Sequence, residues 1–124
     1  MYDNGRGVAK DEAEAVKWYR KAAEGGVTYA LTSLAWILAT SENSAVRDGA
    51  NAVIFAEKAV AATNRKTPAE LDTLAAAYAV AGQFEKAVST EQEAIALVQT
   101  EAEKNDSRTL LKLFEAKLPY RAKD

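Results

Sequence analysis

The stretch Leu71–Leu97, LDTLAAAYAVAGQFEKAVSTEQEAIAL, decides the fold. Leu71, Leu74, Ala75 and Tyr78 fall at i, i+3, i+4 and i+7, the spacing of one helical face. After a break at Ala81–Gln83, Phe84, Ala87, Val88, Ala94, Ile95 and Val98 mark a second such face. The segment therefore predicts two helices folded back on each other. Alanines on both facing surfaces let the backbones approach closely, and Leu74, Tyr78 and Phe84 fill the remaining space. Such a hairpin cannot bury all its apolar surface alone, so it requires stacked neighbours.

The rest of the chain supplies them. EAVKWYRKAA (residues 14–23), NAVIFAEKAV (51–60) and KAVSTEQEAI (86–95) repeat one another, each with Ala-Val followed by an alanine six residues after the valine. SLAWILA (33–39) pairs with TLAAAYA (73–79) upstream of the second and third copies. With the upstream segments termed A and the others B, the order is B, A-B, A-B. Ala15, Ala52 and Ala87 set B-to-B spacings of 37 and 35 residues. A period in this range signals a helical solenoid.

Two resemblances follow from these residues. Leu71, Leu74, Ala75, Tyr78, Gly82, Phe84, Ala87 and Ala94 resemble the tetratricopeptide repeat (TPR). The run YDNGRGVAKDEAEAVKWYRKAAEGG is similar to the related Sel-one-like repeat. Gly5, Gly7, Val8, Asp11, Ala15, Trp18, Tyr19, Ala22, Ala23 and Gly25 fall where that family places them. The resemblance implies an all-α, right-handed α-α superhelix of about two and a half hairpins with a C-terminal capping helix. It divides residues 1–124 into a partial first repeat (1–26), a second (27–66), a third (67–105), and a capping helix with tail (106–124). An A helix is expected before Asn4, so the register predicts the C-terminal portion of a longer repeat protein. The edge left open would expose Val16, Trp18, Tyr19 and Ala22 and favour self-association.

Local signals fit this plan. Asn4–Gly7 suits a chain reversal, with Asp11 and Glu14 as a capping box for the helix that follows. Gly25-Gly26 ends that helix. Thr67-Pro68-Ala69-Glu70 combines a cap, a proline at the first helical position and a glutamate at the third. The loop around Ser41–Gly49 is five residues longer than its counterpart, because Leu34 to Ala52 spans 18 residues and Leu74 to Ala87 only 13. Asp106-Ser107 is expected to begin the capping helix, with Leu110, Leu111, Phe114 and Leu118 on one side and Pro119 as its stop. Glu91 departs from the family pattern, which usually places a bulky residue there. It is expected either to face solvent at the end of the stack or to meet Arg108 or Lys112.

Composition bounds the chemistry. The 124 residues contain neither histidine nor cysteine. Ser-His-Asp and Cys-His catalysis and the usual zinc ligand sets are thereby excluded. A formal charge of −2 gives no general attraction for nucleic acid or anionic lipid. No apolar run approaches the ~18 residues of a membrane span, and the compartment, cytoplasmic or periplasmic, stays open. Glu91, Glu93, Glu101 and Glu103 form an acidic run, assigned to the last B helix as a solvated face. Gly5-Arg6-Gly7 lacks the strand and the Lys-Ser/Thr of a phosphate loop and is read as a turn. Trp18-Tyr19 is read as core rather than as a stacking platform. No catalytic residue, metal or cofactor is expected.

What the TPR resemblance implies instead is a non-catalytic scaffold for a protein or peptide partner, held in the concave groove lined by the A helices. The alternative is a regulatory or oligomerising appendage of an enzyme whose catalytic domain lies upstream. The candidate groove residues are Tyr29, Thr32, Trp36 and Thr40 with Asp72, Ala76 and Val80, Trp36 being open to burial or exposure. This wall suits an apolar anchor with a nearby Lys or Arg. It lacks the Lys, Arg and Asn that clamp a partner's C-terminal carboxylate in one TPR mode.

Overall fold

A computed structural model describes residues 5–41, 46–64 and 66–120, with the backbone alone for residues 5–12. Among the described residues there are six helices and no strand. They are α1 (Gly5–Glu24), α2 (Thr28–Thr40), α3 (Gly49–Ala62), α4 (Pro68–Val80), α5 (Phe84–Leu97) and α6 (Glu101–Glu115).

Each helix packs on the next, and beyond that α2 meets α4 and α4 meets α6. No contact of comparable kind links α1 to α3 or α3 to α5 among the described residues. The helices thus form two rows. The row α2–α4–α6 is in mutual contact while the row α1–α3–α5 is splayed, so the stack curves toward its even-numbered side. This is the architecture of a helical repeat solenoid.

Small residues make the close approach. Ala52, Ala56 and Ala59 of α3, Ala75, Ala76, Ala77 and Ala79 of α4, and Ala87 and Ala94 of α5 are all buried. Leu31, Leu34 and Leu38 from α2, Leu71 and Leu74 from α4, and Phe114 from α6 fill the core between them. The buried face of α2 runs along Leu31, Leu34, Ala35 and Leu38. Gly26 and Gly82 end α1 and α4 with positive φ of 88° and 84°. Beyond them Val27 N–H donates to Ala22 O (3.1 Å) and Gln83 N–H to Tyr78 O (2.8 Å), closing helix ends that only glycine satisfies without strain. Gly49 serves differently. A Cβ there would lie 3.2 Å from Val80 O and 3.3 Å from Ala81 N, so the start of α3 abuts the end of α4.

Several local expectations are corrected. The helix expected from Asp11 begins at Gly5 instead of following a turn at Gly5–Gly7. No breaker lies between Val8 and Glu14, so helix extends upstream and carries the two glycines at ~1 kcal/mol each relative to alanine. Asn4 lies outside the described residues, as do 42–45 of the long loop. Asp48 caps α3 by accepting from Asn51 N–H at 3.2 Å. Thr67 precedes Pro68 as expected, but its side chain caps nothing.

The last helix begins at Glu101, five residues before Asp106, so the acidic run is split between α5 and α6. Thr100 accepts from Glu103 N–H (3.2 Å) and donates to Glu103 Oε1 (2.9 Å). This capping pair signals a helix start without glycine or proline. Pro119 does not stop α6. Lys117 takes φ of 61°, and Leu118 N–H donates to Leu113 O at 2.9 Å, ending the helix earlier. Leu118 consequently points out at 51% exposure, and Leu113 joins Leu110 and Phe114 against the core.

Candidate groove between the even-numbered helices

An open cavity of about 500 Å³ lies between α2 and α4. Thr32, Ser33, Trp36 and Ile37 of α2 line it with Ala69, Asp72 and Thr73 of α4, and Tyr19 of α1 and Leu110 of α6 complete its lining. Helical geometry selects these residues. Thr32, Ser33 and Trp36 share one side of α2 at i, i+1, i+4, and Ala69, Asp72 and Thr73 share the facing side of α4 at i, i+3, i+4. Among the described residues, Asp72 alone of the lining side chains carries a formal charge.

The sequence-derived residues distribute as follows. Thr32, Trp36 and Asp72 line this cavity together. Tyr29 stands outside it at 70% exposure, its ring edge-on to Tyr19 at 6.2 Å between centroids. The phenol of Tyr19 is held above its usual pKa, first by hydrogen bonding with Tyr29 and then by burial. Thr40 is buried and donates to Trp36 O at 2.7 Å. Ala76 is buried in the α4 interface and Val80 is half-buried. Trp36 is half-buried, and Tyr120 lies over it at 5.6 Å between ring centroids.

Trp18 does not join the core. It is 68% exposed, with Lys21 Nζ at 5.6 Å from its ring. The inner face of α1 is set by Val16, Tyr19, Ala22 and Ala23, a helical stripe that leaves Trp18 about 100° from Tyr19 and facing outward.

The largest departure concerns Glu91. It faces neither solvent nor the basic residues of α6, and is fully buried at 0% exposure. Its carboxyl is directed at Asp72 of α4, with Ser107 of α6 beside it. Ser107 Oγ gives its proton to Asp72 Oδ1 at 3.5 Å, which leaves no donor for either Glu91 oxygen among the described residues. Burial first, and then the Asp72 carboxylate, push the Glu91 pKa up to about 9. Glu91 therefore keeps its proton at neutral pH. Asp72 is also raised, chiefly by burial, while the neighbouring Glu91 carboxyl and the Ser107 hydroxyl pull the other way. The two acids form a buried, interacting pair behind the cavity wall. The position on an apolar stripe was the one sequence signal for it.

A related carboxyl lies nearby. Glu70 Oε2 accepts from Thr32 Oγ1 at 3.3 Å, whereas its Oε1 is buried with no partner. No three of the described acidic side chains converge closely enough to hold a metal ion.

Residues 1–27 match the family model of the Sel1 repeat. Sel1 repeats are a TPR-like family of non-catalytic protein-interaction modules. The Sel1 match covers the strand of sequence that ends at the Gly25-Gly26 turn, and the helical stack continues beyond it. No curated protein and no solved structure matches the chain significantly. Among the described residues, no helix is long and apolar enough to cross a membrane.

Proposed function

We propose that this chain is a non-catalytic interaction scaffold that holds an extended peptide or a helix of a partner protein in the groove between α2, α4 and α6. One observation carries the reading: Thr32, Trp36 and Asp72, chosen by their register on the A helices, line a single open cavity on the curved side of the stack. A curved helical stack presents such a trough to a segment rather than to a whole domain surface. Trp36 supplies apolar area at the middle of the wall, where aromatic residues tend to dominate binding energy. The Sel1 match supports an interaction role without naming a partner.

The test is selection of a displayed library of linear 12-residue peptides against the intact chain. Trp36→Ala should weaken the selected peptides by more than ~2 kcal/mol, the usual hot-spot threshold. Asp72→Asn should mainly reduce their salt sensitivity. Melting temperatures supply the control. If Trp36→Ala unfolds the chain while Asp72→Asn leaves peptide affinity untouched, the groove is not the site.

A further inference from the structure

We infer that the groove recognises a lysine or arginine side chain of its partner segment, seated at Asp72 with the Glu91 carboxyl behind it. This rests on the groove reading above and names the chemistry of its occupant.

The carboxyl groups on this side of the molecule are uncompensated. Asp72 has Ser107 and Glu91 as its polar neighbours and the exposed Asp106 carboxylate nearby. Among the described residues neither Glu91 oxygen has a hydrogen-bond partner, and Glu70 Oε1 is buried without one while its Oε2 accepts from Thr32. Among the described residues none of the three is paired with a Lys or Arg. Buried carboxyls without donors are costly, and in most folds a neighbour satisfies them. Of the three, Asp72 lines the open cavity and Glu91 lies behind it.

The shape of the cavity selects among cations. Its 500 Å³ exceed what a bare ion needs, and no three acidic groups among the described residues converge to coordinate a metal. Trp36, Ile37 and Leu110 instead provide apolar surface on the way to Asp72, suited to the aliphatic stem of a long side chain whose charged head continues to a carboxylate.

The charged or titratable groups facing Glu91 are Asp72 from α4 and, through Asp72, Asp106 from α6; Ser107 adds a hydroxyl. A cation arriving there favours the ionised form of Glu91. Glu91 then releases its proton to solvent, and two carboxylates face one cation. Binding is thereby linked to proton release, and affinity should rise with pH across neutrality.

The experiment uses peptides selected on the intact chain, resynthesised with each Lys or Arg replaced by norleucine. The expected result is enrichment of Lys or Arg beside an apolar residue. Replacement by norleucine should weaken binding about tenfold or more, the usual worth of a charge-assisted hydrogen bond. The same loss should appear with Asp72→Asn, on which the norleucine replacement then costs little further. Affinity for the wild type should increase between pH 6 and pH 8, and Glu91→Gln, which mimics the protonated acid, should flatten that dependence. Peptides that lose affinity on Trp36→Ala but show no preference for Lys or Arg would overturn the cation site and leave the groove standing. Peptides indifferent to both Trp36→Ala and Asp72→Asn, or no selected peptides, would overturn the groove and the cation site together.

Discussion

Glu91→Gln replaces a protonated carboxyl by an amide of nearly the same shape, in a site sealed from water by α4, α5 and α6. In the folded chain Glu91 titrates at about 9, against an ordinary value of 4.5. Between those two values the native state binds a proton that the unfolded state has lost. Stability from this group is therefore fully present below pH ~4.5, declines as pH rises, and is gone above the folded pKa. The slope approaches 1.4 kcal/mol per pH unit. From pH 5 to pH 8 the loss sums to about 4 kcal/mol as an upper figure, a large share of the ~5–15 kcal/mol that holds a domain together.

Urea unfolding of the wild type at pH 5, 6.5 and 8 should show the midpoint falling steadily, with the slope of free energy against urea unchanged. Asp72, also raised by burial, acts in the same direction. Glu91→Gln, which cannot titrate, should match the wild type near pH 5 and exceed it by several kcal/mol at pH 8. Parallel pH profiles for the two proteins would refute the reasoning, because the carboxyl would then be solvated or neutralised by a cation in the native state.

Three further outcomes test the packing. Phe114→Ala removes a fully buried ring from α6 and should cost about 3–5 kcal/mol by chemical denaturation; a loss under 1 kcal/mol would mean that α6 is not docked on the stack. Ala87→Leu forces a larger side chain into the fully buried α4–α5 crossing and should cost at least ~1–3 kcal/mol, whereas a melt like the parent's would place that crossing elsewhere. Gly82→Ala puts a Cβ on a residue at φ of 84° with no steric neighbour within 4 Å, so strain alone should lower stability by about 1 kcal/mol, and an unchanged melting temperature would contradict the left-handed turn.

The order of the helices was legible because its signals are local. Gly26 and Gly82 announce left-handed turns, and the 3.6-residue spacing of Leu31, Leu34, Ala35 and Leu38 announces the buried side of α2. Val98–Thr100 announces less. It contains neither glycine nor proline, and its stop is marked by the Thr100–Glu103 pair, which lies inside an otherwise helix-favouring acidic run. Tertiary placement was less accessible still. Periodicity put Glu91 on an apolar stripe, but its neighbours come from residues 72 and 107 on two other helices. Trp18 illustrates the converse, since its size argues for burial while its angle on α1 points it away from α2. Of the groove residues, Thr32, Trp36 and Asp72 were reachable from register alone. Ile37 and Leu110 needed the angle between α2 and α4 and the docking of α6.

The position of Glu91 joins the stability of the stack to its groove. An apolar side chain at the crossing of α4, α5 and α6 would bury as much surface without leaving two oxygens unsatisfied, and replacement of buried ionisable groups by well-packed apolar ones is often neutral or stabilising. The fold therefore does not need an acid there. What the acid adds is a second carboxyl behind Asp72, at the one charged point of the cavity wall. Local rules broken at a cost to stability are expected where a site is built. Were Glu91 merely tolerated, nothing would relate its place in the core to the groove, and any buried position on α5 would serve as well. Thr90 and Ala94 are also buried on that helix, yet it is Glu91 that meets Asp72, which ties this core residue to the charged point of the cavity wall.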